Sequence, residues 1–126
     1  MSTQKKAIST QDVANRLVSL CREGKFFEAG EELYSPDLVS LEPNSPQTPK
    51  VEGLKAVREK QNQFNTLVEA QHGGTVSDPA IAGDYFSVAM VMDVTMKGQG
   101  RTKMEEIATY KVKDGKIVWE QFLYNM

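Results

Sequence analysis

The chain has 126 residues, of which 40% are hydrophobic and 25% charged, and its formal net charge is −2. This length and composition predict one globular domain that buries well over half of the surface of its unfolded chain. The nearly balanced charge argues against nucleic acid as a partner, because phosphate binding requires clustered Lys and Arg. No apolar run approaches the roughly 20 residues of a membrane span, so we expect no membrane partner.

Cysteine and histidine are represented by one residue each, Cys21 and His72. A single cysteine can form no intrachain disulfide, and the pair cannot supply the usual zinc or iron–sulfur ligand sets. We therefore predict no metal and no cofactor. The first residues lack the apolar segment of a signal peptide, which together with the lone cysteine favours a cytoplasmic location. His72 is expected at the surface or at a sheet edge.

The N-terminal part of the chain predicts a tail followed by a helix. Residues 1–8 are expected to be disordered or frayed, and residues 9–126 to form a single domain. Ser9 and Asp12 have the spacing of a capping box, and the apolar residues that follow recur at helical spacing. Gly24 suits the end of this helix, because glycine readily adopts the left-handed conformation found there.

The next segments alternate between helix, strand and loop signals. A second short helix is expected over 26–34, where Ser35-Pro36 stops it because a residue before proline avoids the helical region. Residues 37–42 are a strand candidate, and the three prolines of 43–49 indicate a loop. A third helix carries an apolar stripe over 54–64.

Beyond residue 66 the apolar pattern changes to a period of two, which is typical of strands. Asp114-Gly115 lies between two runs of β-branched and aromatic residues, and this is a strong signal for a hairpin. Helices first and long strands afterwards predict an α+β domain with its helices on one face of a curved antiparallel sheet. The expected strands span 66–77, 85–96, 102–113 and 116–124.

Three segments, Phe26–Pro43, Val51–Phe64 and Glu105–Tyr124, carry a family resemblance. They contain a helix ending in Leu-Tyr, a strand ending in an acidic residue and a proline, a helix opening with Glu-Gly-Leu, and a hairpin reading Asp-Gly-Lys-Ile-Val. In this order the chain resembles the nuclear-transport-factor-2-like superfamily, and within it the SnoaL-like and ketosteroid-isomerase-like proteins. The resemblance implies a cone-shaped α+β barrel, with N-terminal helices on the concave face of a curved mixed or antiparallel sheet. It also implies one apolar pocket and, commonly, a homodimer.

The resemblance implies no particular activity, since the same cone hosts isomerases, cyclases, hydrolases and non-catalytic ligand binders. Glu42-Pro43 matches the position of the general base in ketosteroid isomerases, with Glu in place of Asp. The two oxyanion donors of those enzymes fall on Leu17 and on Ala108, or on Thr109 if the alignment shifts by one residue. Losing even one such donor typically costs about 10²–10³ in rate, so the usual ketosteroid isomerase chemistry is not expected.

Alternation along the closing hairpin decides which side chains share a face. If Ala108 faces the pocket, as the resemblance implies, then Glu106 and Glu120 face it too, while Trp119 faces outward where a dimer interface would bury it. The candidate catalytic residues are Glu42 and Glu106. The predicted ligand-pocket residues are Leu17, Tyr34, Phe64, Met90, Met92, Met104, Ala108, Tyr110, Glu120, Phe122 and Tyr124.

These residues leave three functions open. The favoured one is a protein that binds a small apolar molecule in the cone pocket without a catalytic set. The second is an enzyme of proton-transfer chemistry (an isomerase, cyclase or lyase) with Glu42 or Glu106 as base and Tyr110 or Tyr124 as donor. The alternative to this acid–base role is that the carboxylates only form hydrogen bonds to tyrosines and stabilise the sheet. The third is a dimeric interaction module built around Trp119.

Overall fold

The computed structural model describes residues 8–125, which contain three helices and seven strands. The predicted tail lies outside the described residues except for Ile8. No helix in this range is both long and apolar enough to cross a membrane. The elements are α1 (Thr10–Arg22), α2 (Phe26–Leu33), β1 (Tyr34–Leu41), β2 (Lys50–Glu52), α3 (Leu54–Leu67), β3 (Val68–Val76), β4 (Ala80–Ala82), β5 (Tyr85–Met96), β6 (Gly100–Lys113) and β7 (Lys116–Tyr124).

The capping box predicted for α1 is confirmed. The Ser9 hydroxyl accepts a hydrogen bond from the Asp12 amide at 3.0 Å, and the Asp12 carboxylate accepts one from the Ser9 amide at 3.2 Å. The two contacts satisfy amides that the first turn of a helix leaves without partners. Gly24 follows the helix with a φ of +74°, as its predicted role at the helix end requires.

Several predicted boundaries were wrong. The second helix stops at Leu33, so Tyr34 begins β1 instead of ending α2, because β1 pairs in parallel with β7 from this residue onwards. The third helix continues to Leu67, past the predicted start of the next strand. The three-residue strands β2 and β4 were not predicted, since each is too short to show a period and forms only by pairing with a longer neighbour.

The strands form one mixed sheet in the order β2-β1-β7-β6-β5-β3, with β4 paired to β5. The contact between β1 and β7 is parallel, and the other pairings are antiparallel. The predicted α+β class and curved mixed sheet are confirmed, but the sheet is not closed, because β2 and β3 remain at its two edges. The cone is therefore open on one side.

The helices cover one face of the sheet. Helix α1 packs against β3, β4, β5 and β6, whereas α3 packs against β1, β2 and β3. Full burial of a side chain such as Leu17 or Phe86 stabilises the fold by about 1.5–3 kcal/mol. The largest fully buried side chains of the helices and the sheet are Tyr110, Phe86, Leu17, Leu38, Ile117, Glu120, Val13, Val88 and Val94.

A β-bulge in β7 decides which residues of that strand face the helices. Val112 lies opposite Ile117 and Lys111 lies opposite Trp119, so Val118 is an extra residue on β7. Ile117 and Glu120 are both fully buried although they are three positions apart. An uninterrupted strand would send residues at this separation to opposite faces, so the bulge is what turns Glu120 inward.

Candidate functional site

Three carboxylates meet on the helix-covered side of the sheet. Glu42 follows the end of β1, Glu106 lies on β6, and Glu120 lies on β7. Glu120 pairs across strands with Tyr110 and with Ser40, and Glu106 pairs with Tyr124. Two elements that are far apart in the sequence are joined here by the parallel pairing of β1 with β7.

Glu120 is the most deeply buried of the three, with 1% of its surface exposed. One carboxylate oxygen accepts a hydrogen bond from the Tyr34 hydroxyl at 2.6 Å, and the other accepts one from the Ser40 hydroxyl at 2.8 Å. Burial raises the pKa of Glu120 to about 7, against the two hydroxyls, which favour the charged form and lower it. The charge of Glu42 raises this pKa further, and the charge of Lys60 lowers it.

Both oxygens of Glu42 are also occupied. Oε1 forms an ion pair with Nζ of Lys60 at 2.9 Å, and Oε2 accepts a hydrogen bond from the Tyr124 hydroxyl at 3.0 Å. Partial burial, together with this bond to a carboxylate, raises the pKa of Tyr124 to about 12. The Tyr124 hydroxyl is therefore a neutral hydrogen-bond donor throughout the physiological range.

Glu106 differs from the other two because its carboxylate has no side-chain hydrogen bond or ion pair among the described residues. Burial raises the pKa of Glu106 to about 7, and the charges of Glu42 and then Glu120 raise it as well. A carboxyl group with this pKa is present in both protonation states near neutral pH. It can therefore either accept or donate a proton.

The predicted pocket residues divide into a filled base and a partly open mouth. At the base, the Tyr110 ring is stacked on Phe86 with 4.8 Å between ring centroids and meets Phe122 edge-on at 6.3 Å. The buried predicted residues are Leu17, Tyr34, Met90, Ala108, Tyr110 and Glu120. The half-buried ones are Phe64, Met92, Met104, Phe122 and Tyr124. These half-buried side chains and Glu106 define what we call the mouth.

Two surface clefts lie away from the carboxylates. One, of about 400 Å³, lies between α1 and the segment before β4 and includes Arg22 and Asp78 in its lining. The other, of about 360 Å³, lies beside the turn between β6 and β7 and includes Ile8 and Asp84. Neither is lined by the buried titratable groups, so we place the candidate site at the mouth on the grounds of its chemistry. Within residues 8–125, no His, Cys, Asp and Glu side chains form a group suited to a metal ion.

Trp119 lies on the opposite, outward face of the sheet. Its ring is half-buried because the edge of Tyr85 packs against it at 6.4 Å between centroids. Ile107 and Leu123 pair with each other on the same face and are 46% and 43% exposed. His72 is exposed on β3, where its Nε2 contacts the Thr95 hydroxyl at 2.7 Å, away from the carboxylates.

Sequence reasoning missed two members of the site, Lys60 and Ser40. Lys60 precedes Phe64 by one helical turn and so lies beside the apolar stripe of α3. Ser40 lies two residues after Leu38 on β1 and two before Glu42, which directly follows the strand, so this spacing directs all three to one face. Both signals were present in the sequence, but neither residue type stands out without a known partner.

Comparisons with known proteins agree with this fold. The sequence profile of the SnoaL-like domain matches residues 8–124. The chain belongs to the SnoaL-like family. A candidate SnoaL-like polyketide cyclase from Mesorhizobium loti is 32% identical, with a TM-score of 0.88 over 93% of this chain and 100% of that one. No curated protein sequence matches the chain.

More distant solved structures share the fold of this SnoaL-like domain. A protein of unknown function with a cystatin-like fold from Xanthomonas campestris is 17% identical, with a TM-score of 0.78 over 94% of this chain and 92% of that one. A ketosteroid-isomerase-like protein from Catenulispora acidiphila, in complex with trimethylamine, is 14% identical, with a TM-score of 0.71 over 91% and 86%. The profile match and the Mesorhizobium loti structure confirm the predicted resemblance to the SnoaL-like family, and these distant structures confirm the fold.

Proposed function

We propose that this SnoaL-like protein binds a small, largely apolar molecule at the mouth and catalyses a proton transfer on it, with Glu106 as the acid–base group. The observation that carries the proposal is the Glu106 carboxylate, which is half-buried among apolar side chains and has no protein partner within the described residues. The side chain is half-buried, so the unpaired carboxylate can be reached by a molecule that binds at the mouth. This choice differs from the binding-only function favoured by the sequence.

The other two carboxylates support this assignment by contrast. Glu120 is held by two hydroxyls and Glu42 by an ammonium and a hydroxyl, so their oxygens are already engaged. A general base must reach the proton that it removes, which an occupied and fully buried carboxylate such as Glu120 cannot do. Glu42 remains the second candidate, because a substrate could displace Tyr124 from it.

The proposed step is the exchange of a proton on a carbon next to a carbonyl group. The Glu106 carboxylate takes the proton, the electrons of the broken C–H bond form the enolate, and protonated Glu106 returns a proton to the same or another atom. Tyr124 lies opposite Glu106 on β7, and its hydroxyl would turn from Glu42 to the substrate to donate a hydrogen bond to the carbonyl oxygen. The resemblance to a candidate polyketide cyclase supports a carbonyl substrate, since cyclisation of such molecules begins with this step.

The filled base of the cone limits the size of the ligand. Tyr110 and Phe86 are each 1% exposed and stacked, so the space below the mouth is occupied by the protein itself. We therefore propose a ligand with a single ring or a short chain instead of a fused ring system. Binding without catalysis remains the alternative, favoured by Leu17 and Ala108 at the positions of the two oxyanion donors.

Deuterium exchange into small ketones tests the proposal. Cyclohexanone and cyclohexenone are incubated with the protein in deuterium oxide, and loss of the α-proton signal is followed by NMR. We expect exchange above the buffer rate that rises with pH through the pKa of Glu106 and is lost in Glu106→Gln. Glu105→Gln, which alters an exposed neighbour on the same strand, is the matched control. Exchange that is equal in Glu106→Gln and the unaltered protein would exclude Glu106, while tight binding without exchange would favour the alternative.

We also propose that two copies associate through the outward sheet face around Trp119. Ile107, Leu123 and Tyr85 are large apolar side chains exposed on this face, and burying them would offset the cost of association. Sedimentation analysis tests this, with Leu123→Arg expected to give monomers and Leu67→Arg, at a helix end elsewhere, expected to leave dimers. A sedimentation coefficient of a monomer for the unaltered protein would overturn it.

Since Cys21 is buried and unpaired, we place the protein in the reducing cytoplasm.

A further inference from the structure

We propose that Lys60 is a positioning residue of this site, which anchors the Glu42 carboxylate at the mouth and screens its negative charge from Glu106. The inference rests on the proposed function, because it assigns Lys60 a role toward the proposed acid–base group. In this role Lys60 does not itself transfer a proton to or from the substrate. Three structural observations support it.

The first observation is the partial burial of the Lys60 side chain. The Lys60 side chain is only 24% exposed, whereas lysine side chains normally reach into water. Its ammonium contacts Glu42 at 2.9 Å and the backbone oxygen of Thr48 at 3.4 Å. Lys60 therefore links α3 to the end of β1 and to the proline-rich loop that follows β1. This link lies at the mouth instead of at the outer surface.

The second observation is that Glu42 is held from both sides. Its second oxygen accepts the Tyr124 hydroxyl at 3.0 Å, and the Glu42 side chain is 23% exposed. The Asn44 side chain also donates to the backbone oxygen of Tyr124, which ties the same loop to β7. The carboxylate is thus fixed between β1, α3 and β7, and its charge has a defined position relative to β6.

The third observation is the set of charged and titratable groups around the Glu106 carboxyl. The titratable groups that face it are Glu42 from the end of β1, Glu120 and Tyr124 from β7, and Tyr110 from its own strand. No Lys or Arg of residues 8–125 forms an ion pair with Glu106, and Lys60 is connected to it through the ion pair with Glu42. The charge of Lys60 reaches Glu120 as well, where it lowers the pKa.

These contacts predict opposite effects for the two members of the ion pair. Without Lys60, the full charge of Glu42 acts on Glu106 and Glu120, so both release their protons less readily. Without the charge of Glu42, both release their protons more readily, because a like charge has been removed. A loss of packing or of general stability would not produce shifts of opposite sign.

NMR titration of protein labelled with carbon-13 in the glutamate carboxyl groups measures this directly. The Glu106 signal is assigned by its absence in Glu106→Gln. We expect the Glu106 midpoint to move upward by about one pH unit in Lys60→Met and downward by about one in Glu42→Gln. Lys60→Arg keeps the charge and should have a midpoint close to that of the unaltered protein. An amide correlation spectrum of each variant checks that it is folded.

The outcomes separate this inference from the proposed function. A Glu106 midpoint that is unchanged or lowered in Lys60→Met would overturn the role of Lys60, as would shifts of the same sign in Lys60→Met and Glu42→Gln. If Lys60→Met does not fold, Lys60→Gln and the Glu42→Gln arm give the same comparison. The titration needs no substrate, so a failure to observe deuterium exchange would refute the proposed reaction while leaving the Lys60 result intact.

Discussion

The burial of Glu120 predicts that the protein loses stability as the pH rises from about 5 to about 8. The pKa of this carboxyl rises from an ordinary value of 4.5 to about 7 in the fold. The folded chain therefore binds a proton that the unfolded chain releases between these values. The resulting stabilisation is complete below the pKa of the unfolded chain and is lost as the pH rises through the pKa of the folded one.

The size of the effect follows from the shift. One pKa unit corresponds to about 1.4 kcal/mol, so the rise shown by Glu120 corresponds to about 3 kcal/mol between the two ends of the window. Glu106 has a pKa raised in the same direction and to a similar value, and it adds to the slope in the same window. Because the two carboxyls repel each other, the sum is smaller than twice the single value. The total is a large part of the stability of a typical domain.

Urea unfolding, followed by tryptophan fluorescence at several pH values, measures this slope. In Glu120→Gln the slope should fall by about half, because the amide has the same shape and carries no charge. The variant should also be more stable than the unaltered protein at the alkaline end. The exposed Glu105→Gln should keep the original slope. A free energy of unfolding that is constant or rises across this window in the unaltered protein would refute the argument, because it would mean that Glu120 is charged at no cost.

Three further substitutions test single contacts by the free energy of unfolding. Tyr34→Phe removes the 2.6 Å donor to Glu120 and should cost about 1.5–3 kcal/mol where Glu120 is charged, and less in acid; a cost independent of pH would contradict this. Ser9→Ala removes the cap of α1 and should cost about 1 kcal/mol, with Ser19→Ala as an exposed control. Gly74→Ala places a Cβ 2.6 Å from the backbone oxygen of Val91 and should destabilise by at least about 1 kcal/mol; a neutral result would mean that β3 shifts freely on β5.

Local signals in the sequence predicted the long elements well. Ser9 with Asp12, Gly24, and Asp114-Gly115 each act through bonds or backbone angles within a few residues, so their effect is independent of the rest of the fold. Asp114 and Gly115 adopt φ values of +52° and +76°, as a tight hairpin turn of this kind requires. Strand β7 has the predicted bounds, and β6 ends where predicted but begins two residues earlier, at Gly100.

The sequence by itself determined the family, the helix cap, the closing hairpin and the alternation that groups Glu106 with Tyr110. Only the tertiary structure decided that β1 pairs in parallel with β7, that a bulge at Val118 turns Glu120 inward, and that Lys60 reaches Glu42 from another element. These features depend on contacts between residues far apart in the chain, which a local pattern cannot encode. The acid–base character of the site arises from the same contacts, because burial and neighbouring charges set the pKa of each carboxyl.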